Sequence, residues 1–189
     1  MFKNWTKLFT TDCRIIVLDA NNSVYPIFKN GQTSLFHYAE EKKLKILKNK
    51  QLQHIKKIKV FLRDPLQRFV SGVHTVIELE KINNIDVFLK DVECFKTYNR
   101  HFIPQFYWLL HLSKYFKGVI ELALVNELYE LIPTRDGPPI KKLTGPRKKK
   151  ILSINNKMYV DVDYKLMNKY IGQTVELEKI IKEFKNAVS

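Results

Sequence analysis

Val24-Tyr25-Pro26-Ile27-Phe28-Lys29-Asn30-Gly31-Gln32-Thr33-Ser34-Leu35 is the stretch on which the fold of this chain turns. It opens on apolar and β-branched residues, which argue a short strand, and Leu35, Phe36, Tyr38, Ala39, Leu44 and Leu47 then recur at helical spacing. Between them lies Lys29-Asn30-Gly31-Gln32-Thr33-Ser34, so the pattern reads strand, glycine-containing turn, helix. That turn has the parts a phosphate or phosphosulfate site needs. Gly31 admits close backbone approach, Thr33 and Ser34 offer hydroxyls, Lys29 supplies a full charge, and a helix starting there presents unpaired amides at its positive end. It is not a Walker A loop, because Lys29 precedes the only glycine where that motif sets its lysine after the second. This counts against a kinase or ATPase.

Outward from the turn, residues 14 to 18 form a further strand candidate, set off by Asn21-Asn22-Ser23. Downstream, residues 58 to 62 read as a strand that ends at Arg63, with Asp64-Pro65 as an N-cap and a first-turn proline. Arg68 and Ser71 share one face of the helix that follows, a fork and a hydroxyl suited to a terminal phosphate. Residues 105 to 116 read as a mostly buried aromatic helix closed by Lys117-Gly118. Residues 119 to 125 read as another strand, and a short helix follows near 126 to 131. Residues 133 to 146 hold four prolines and two glycines and read as a long surface loop, and helical periodicity returns from Val162. Strands alternating with helices predict an α/β domain, a largely parallel sheet covered on both faces, with ligands bound beyond the carboxyl ends of its strands.

With 189 residues, 45% of them hydrophobic, the chain suits one domain with its own core. Cys13 and Cys94 fit no disulfide framework or metal-ligand spacing and read as reduced, partly buried thiols. The longest charge-free apolar run, residues 102 to 113, falls far short of the roughly 20 residues that span a bilayer. Lys3 and Lys7 break the first eleven residues, so no secretory signal is read. The expectation is a soluble, cytoplasmic protein in a bacterial or viral setting. The net charge of +14 predicts attraction to anions. Much of it lies in Lys42, Lys43, Lys45, Lys48, Lys50, Lys56, Lys57 and Lys59, read as the solvated face of an exposed helix, and in a second cluster at residues 147 to 150.

Taken together and in order, these motifs resemble the sulfotransferase superfamily that uses 3′-phosphoadenosine-5′-phosphosulfate (PAPS). Residues 26 to 35 look like its 5′-phosphosulfate loop, and Phe61-Leu62-Arg63-Asp64-Pro65-Leu66-Gln67-Arg68-Phe69-Val70-Ser71 looks like its 3′-phosphate motif. His101-Phe102-Ile103-Pro104-Gln105 is similar to the H-[FW]-x-P-Q segment of the carbohydrate (Golgi-type, family 2) branch, and residues 161 to 166 loosely resemble that branch's D-Y-x-L stretch. The resemblance implies a P-loop NTPase-like, nucleoside-kinase-like fold, a parallel sheet flanked by helices, and sulfuryl transfer without a metal. It implies that Lys29 contacts the phosphosulfate and stabilises the leaving group. Asn30, Gly31, Gln32, Thr33 and Ser34 would hold the 5′-phosphate, and Arg63 and Ser71 the 3′-phosphate. Arg147 and Lys148 stand where the family has a late basic loop. For the base that activates the acceptor hydroxyl the candidates are His37, four residues after Thr33, His101, and Glu40 or Glu41. The implied partners are PAPS, its product 3′-phosphoadenosine-5′-phosphate (PAP), and a hydroxyl acceptor, with the surplus positive charge leaning toward an acidic glycan.

Two other readings stand beside this one. A Mg²⁺-dependent nucleotide phosphotransferase would use Asp64 as a metal-holding carboxylate. A non-catalytic nucleic-acid-binding protein would use the basic stretch, although no nucleic-acid module is recognisable and no specific nucleic acid is expected.

Overall fold

The computed structural model describes residues 12–27, 29–94, 96, 99–132 and 146–188, and of Pro146, Arg147 and Met158 the backbone alone. Phe28 and all but the last residue of the loop expected at 133 to 146 lie outside the described residues.

Among the described residues six strands form one sheet: β1 (Arg14–Val17), β2 (Ser23–Tyr25), β3 (Lys45–Lys48), β4 (Lys57–Leu62), β5 (Val119–Leu124) and β6 (Thr174–Glu176), in the order β3-β1-β2-β4-β5-β6. The helices are α1 (Gln32–Glu41), α2 (Pro65–Leu79), α3 (Ile85–Glu93), α4 (Phe106–Leu112), α5 (Val125–Leu131), α6 (Pro146–Ser153), α7 (Lys157–Tyr170) and α8 (Leu177–Val188). The architecture is α/β, an open sheet flanked by helices.

The sheet is mixed, which corrects the expectation of a largely parallel one. Only β2–β4 and β4–β5 pair in parallel; β1 runs antiparallel to β2 and β3, and β6 to β5. The connection between β1 and β2 decides the first of these. Asp19 accepts from the backbone amides of Asn21 and Asn22 at 2.8 and 2.9 Å, closing a turn too short for a parallel crossover.

Strand alternation gives the sheet two apolar faces. Ile15, Tyr25, Ile58, Val60, Leu62, Ile120 and Leu122 lie in one core with residues of α2, α4, α7 and α8. Ile16, Val24, Phe61 and Ala123 lie in a second with Leu35 and Ala39 of α1 and Leu128 of α5. Phe102 is buried in the core, and so are Phe106, Tyr107 and Trp108, as expected of the aromatic helix read at 105 to 116. Cys13 is buried, which pushes its thiol up to about 12, whereas Cys94 is exposed and not partly buried as expected.

The helix read through Leu47 stops at Glu41. Lys43 takes the left-handed conformation (φ 52°) and donates to Glu40, while Leu44 donates back to Ala39 at 2.7 Å, a Schellman ending made without glycine. The basic stretch is therefore not one helix face. Lys45 and Lys48 lie on edge strand β3, Lys50 in the 3-10 turn Asn49–His54, and Lys57 and Lys59 on β4. Lys57 and Lys59 reach Glu121 at 2.6 and 3.2 Å, and Lys59 also reaches Glu127 at 3.4 Å, which neutralises part of the stretch. The cluster at 147 to 150, expected on a loop, belongs to α6, where Lys150 pairs with Asp86. No helix among the described residues is long and apolar enough to cross a membrane.

Candidate functional site

The turns after β2 and β4 stand side by side because those strands are adjacent and parallel. After β2 the chain is pulled into a tight turn by the Asn30 amide, which donates to Ile27 at 3.1 Å. Lys29 (φ 69°) and Gly31 (φ 80°) both adopt the left-handed region. The first hydrogen bond of α1 runs from Leu35 to Gly31, so the amides of Gln32, Thr33 and Ser34 have no partner within the helix. Among the described residues no side chain caps this end, and no acidic residue lies in its first turn. An uncapped helix start of that kind favours an anion.

After β4 the chain enters α2 through the expected cap, with Asp64 accepting from the Gln67 amide at 2.7 Å and Pro65 in the first turn. A cap of this type stabilises a helix by about 1 kcal/mol. The other Asp64 oxygen accepts from Tyr164 at 2.9 Å, so both carboxylate oxygens serve the fold.

Lys29 and Arg63 are each half-buried, and among the described residues neither pairs with a carboxylate. Lys29 donates to the Thr75 hydroxyl at 2.8 Å, and Thr75 donates to the Ser71 carbonyl at 2.9 Å. This lays the lysine along the face of α2 that carries Ser71. Burial and then the nearby Arg63 and Arg68 charges hold the Lys29 pKa below its usual value. The two arginine charges beside Lys29 add to a positive field that favours an anion there.

Arg68 departs from the phosphate clamp that its spacing with Ser71 suggested. It is 1% exposed and donates to the Ile103 carbonyl. Burial lowers its pKa to about 10 despite the Asp163 carboxylate near it. It is therefore a structural cation behind the site, whereas Arg63 is half-buried and close enough for its charge to act on Lys29.

The segment His101-Phe102-Ile103-Pro104-Gln105 packs directly on α2. A β-carbon on Gly72 would stand 2.1 Å from the His101 carbonyl oxygen. His101 is buried, and burial followed by Lys29, Arg100 and Arg68 lowers its pKa to about 4, which keeps the imidazole neutral at pH 7. Of the candidate bases, His101 is the one placed near Lys29. His37 is exposed on α1 and lines a shallow depression of about 290 Å³ with Gln32, Thr33, Phe36 and Glu40; Glu41 is exposed and lies 3.9 Å from Lys42. Lys148 is exposed on α6, and the Arg147 side chain lies outside the described residues.

Four residues entered the site without a role foreseen for them. Gln105 is fully buried between the two turns, Asp163 accepts from the amides of Gln105 and Phe106 at 2.6 and 3.2 Å, Thr75 receives Lys29, and Gly72 admits His101. Only Thr75 left a usable signal, four residues after Ser71 on the same helical face. Among the described residues no cluster of three or more His, Cys, Asp or Glu side chains could hold a metal. No protein-family model, curated protein or solved structure matches the chain.

Proposed function

We propose that the chain is a sulfotransferase that moves a sulfuryl group from PAPS to an acceptor hydroxyl, on a fold related to the P-loop nucleoside kinases. The observation that carries this reading is the pairing of Lys29 and Arg63. They stand at the carboxyl ends of neighbouring parallel strands, without carboxylate partners among the described residues, beside the uncapped start of α1.

That arrangement suits a ligand with anionic groups at two points. The Gly31-Gln32-Thr33-Ser34 amides and hydroxyls and Lys29 would take the 5′ end, and Arg63 with Ser71 the 3′-phosphate. In the transfer, the acceptor oxygen bonds to sulfur as the bond from sulfur to the 5′-phosphate oxygen breaks. Negative charge builds on that phosphate oxygen, and Lys29 is the cation placed to stabilise it. The acceptor proton needs a base, for which neutral His101 and exposed His37 both remain candidates. The phosphotransferase alternative gains no support from Asp64, whose oxygens cap α2 and bind Tyr164. An acidic glycan as acceptor rests on the net charge of +14 alone.

The test is calorimetric titration with PAP in chelator, using ATP as control ligand and Lys29→Ala and Arg63→Ala as variants. Micromolar binding that prefers PAP and is lost in both variants is expected, with micromolar Kd corresponding to about 8 kcal/mol. Preference for ATP that depends on Mg²⁺, or no binding, would sink the reading.

A further inference from the structure

Gln105 joins the two turns through one primary amide. Its Oε1 accepts from Asn30 Nδ2 at 2.5 Å and from the Arg63 amide at 2.9 Å, and its Nε2 donates to the Arg63 carbonyl at 2.8 Å. Asn30 Nδ2 also donates to the Phe61 carbonyl at 2.9 Å. Asn30 lies between the two left-handed residues of the first turn, and Arg63 is the cation of the second. The pairing with both backbone groups of Arg63 fixes where that residue leaves its strand. The shared oxygen then fixes Asn30 relative to it.

The brace is itself held from behind. The Gln105 amide donates to Asp163 at 2.6 Å, Arg68 holds the Ile103 carbonyl, and Gly72 lets the same segment close onto α2. With 0% exposure, Gln105 has no surface to offer a ligand. Asn30 is likewise buried, 1% exposed, with its side-chain amide turned inward to Phe61 and Gln105, so it braces the turn and does not hold the 5′-phosphate as expected. The hydrogen bonds of Gln105 go to the relative placement of the turn that carries Lys29 and of half-buried Arg63.

We propose that Gln105 is a positioning residue, holding the Lys29-Asn30-Gly31 turn and Arg63 at one separation so that a nucleotide with 5′ and 3′ phosphates binds as a chelate. The proposal rests on the reading of this site as a PAPS site. Its physical content is that of any two-point binder: once one phosphate is seated, the second meets its partner at an effective concentration set by how rigidly the two are spaced. Loosening the spacing weakens the doubly charged ligand while sparing ligands that use one turn.

The experiment compares wild type, Gln105→Met and Gln105→Glu by calorimetry with PAP, adenosine 5′-monophosphate and adenosine 3′-monophosphate, alongside thermal unfolding. Met keeps the length and removes every polar contact; Glu keeps an acceptor oxygen for Asn30 and the Arg63 amide. The preference for PAP over the monophosphates is expected to fall about tenfold in Gln105→Met and less in Gln105→Glu, with either monophosphate changing less than about threefold. A lower unfolding temperature with all three ligands weakened by the same factor would reduce Gln105 to a structural residue and overturn the proposal. Should Gln105→Met not fold, the same ratio in Gln105→Glu decides the matter. A wild type with no preference for PAP would overturn the donor-site reading and the chelate with it, whereas a preference unchanged in the variants would overturn the brace alone.

Discussion

Gly72 in α2 faces the backbone of His101 so closely that a β-carbon there would stand 2.1 Å from the His101 carbonyl oxygen and 2.6 Å from its carbon. Backbone atoms cannot swing aside as a side-chain tip can, so Gly72→Ala must push α2 and the His101 segment apart. Destabilisation of about 1–3 kcal/mol is expected, seen as a lower urea midpoint at unchanged slope. Gly172→Ala is the control. Nothing lies within 4 Å of a β-carbon there, and its cost comes from φ +76° alone, about 1 kcal/mol. Equal stability of Gly72→Ala and wild type would refute the close approach.

Arg63 and Arg68 separate binding from folding. Removal of Arg63, half-buried and without a carboxylate partner among the described residues, is expected to change stability by less than about 1 kcal/mol. It should weaken PAP at least about tenfold, the scale of one charge-assisted contact. Arg68→Met takes the donor from the buried Ile103 carbonyl and the nearby cation from Asp163, which keeps its two amide donors, so a loss of about 3–5 kcal/mol is expected. Urea unfolding and PAP titration of both variants check the pair; the reverse pattern would mean that the roles are exchanged.

Gly31 is constrained twice, by φ 80° and by the Leu128 side chain, whose Cδ2 would lie 2.7 Å from an added β-carbon. Gly31→Ala should cost about 1–2 kcal/mol. Because the substitution moves the start of α1, PAP affinity should fall about tenfold at the same time. Unfolding and calorimetry on one preparation would test both; the expected loss of stability with intact affinity would separate the turn from binding.

Acid stability carries opposing contributions. His101 and His111 are each lowered to about 4, chiefly by burial, so between pH 4 and 6.5 the unfolded chain binds more protons and stability rises with pH. Burial raises Asp163 to about 6, so over pH 4 to 6 the native state binds more protons and this group alone makes stability fall with pH. Two histidines against one carboxylate predict a net rise. His111→Gln should flatten it by about 1–3 kcal/mol and Asp163→Asn should steepen it, read from urea midpoints at pH 4.5 and 7. An unaltered pH slope in His111→Gln would contradict the assignment.

What could be read from residue order was the part governed by local chemistry. The Asp64-Pro65 start of α2, the strand and helix on either side of residues 29 to 34, and the aromatic core helix all follow from caps, turns and spacing. Strand direction was harder. The turn at Asn21-Asn22 shows in the residues, but the direction of the strands it joins does not, and β6, three residues long, gives almost no periodic signal. The end of α1 leaves no mark in the sequence because Lys43 does what glycine usually does. In the site, Lys29 and Arg63 announce themselves by charge and by position after strands. Gln105 and Asp163 act across 42 and 58 residues of sequence through hydrogen bonds that leave no local mark.

The clasp between the turns is fastened by the last part of the chain. Asp163 on α7 holds the amides at the head of α4, and Phe184 on α8 sits against Tyr107 and Phe106, with ring centroids 4.7 and 6.5 Å away. During synthesis, Lys29, Arg63 and His101 all leave the ribosome before either of those anchors exists. On the proposed donor site, ligand competence would therefore arrive late in translation: a chain ending at residue 160 should carry Lys29, Arg63, Ser71 and Lys148 and still fail to retain PAP.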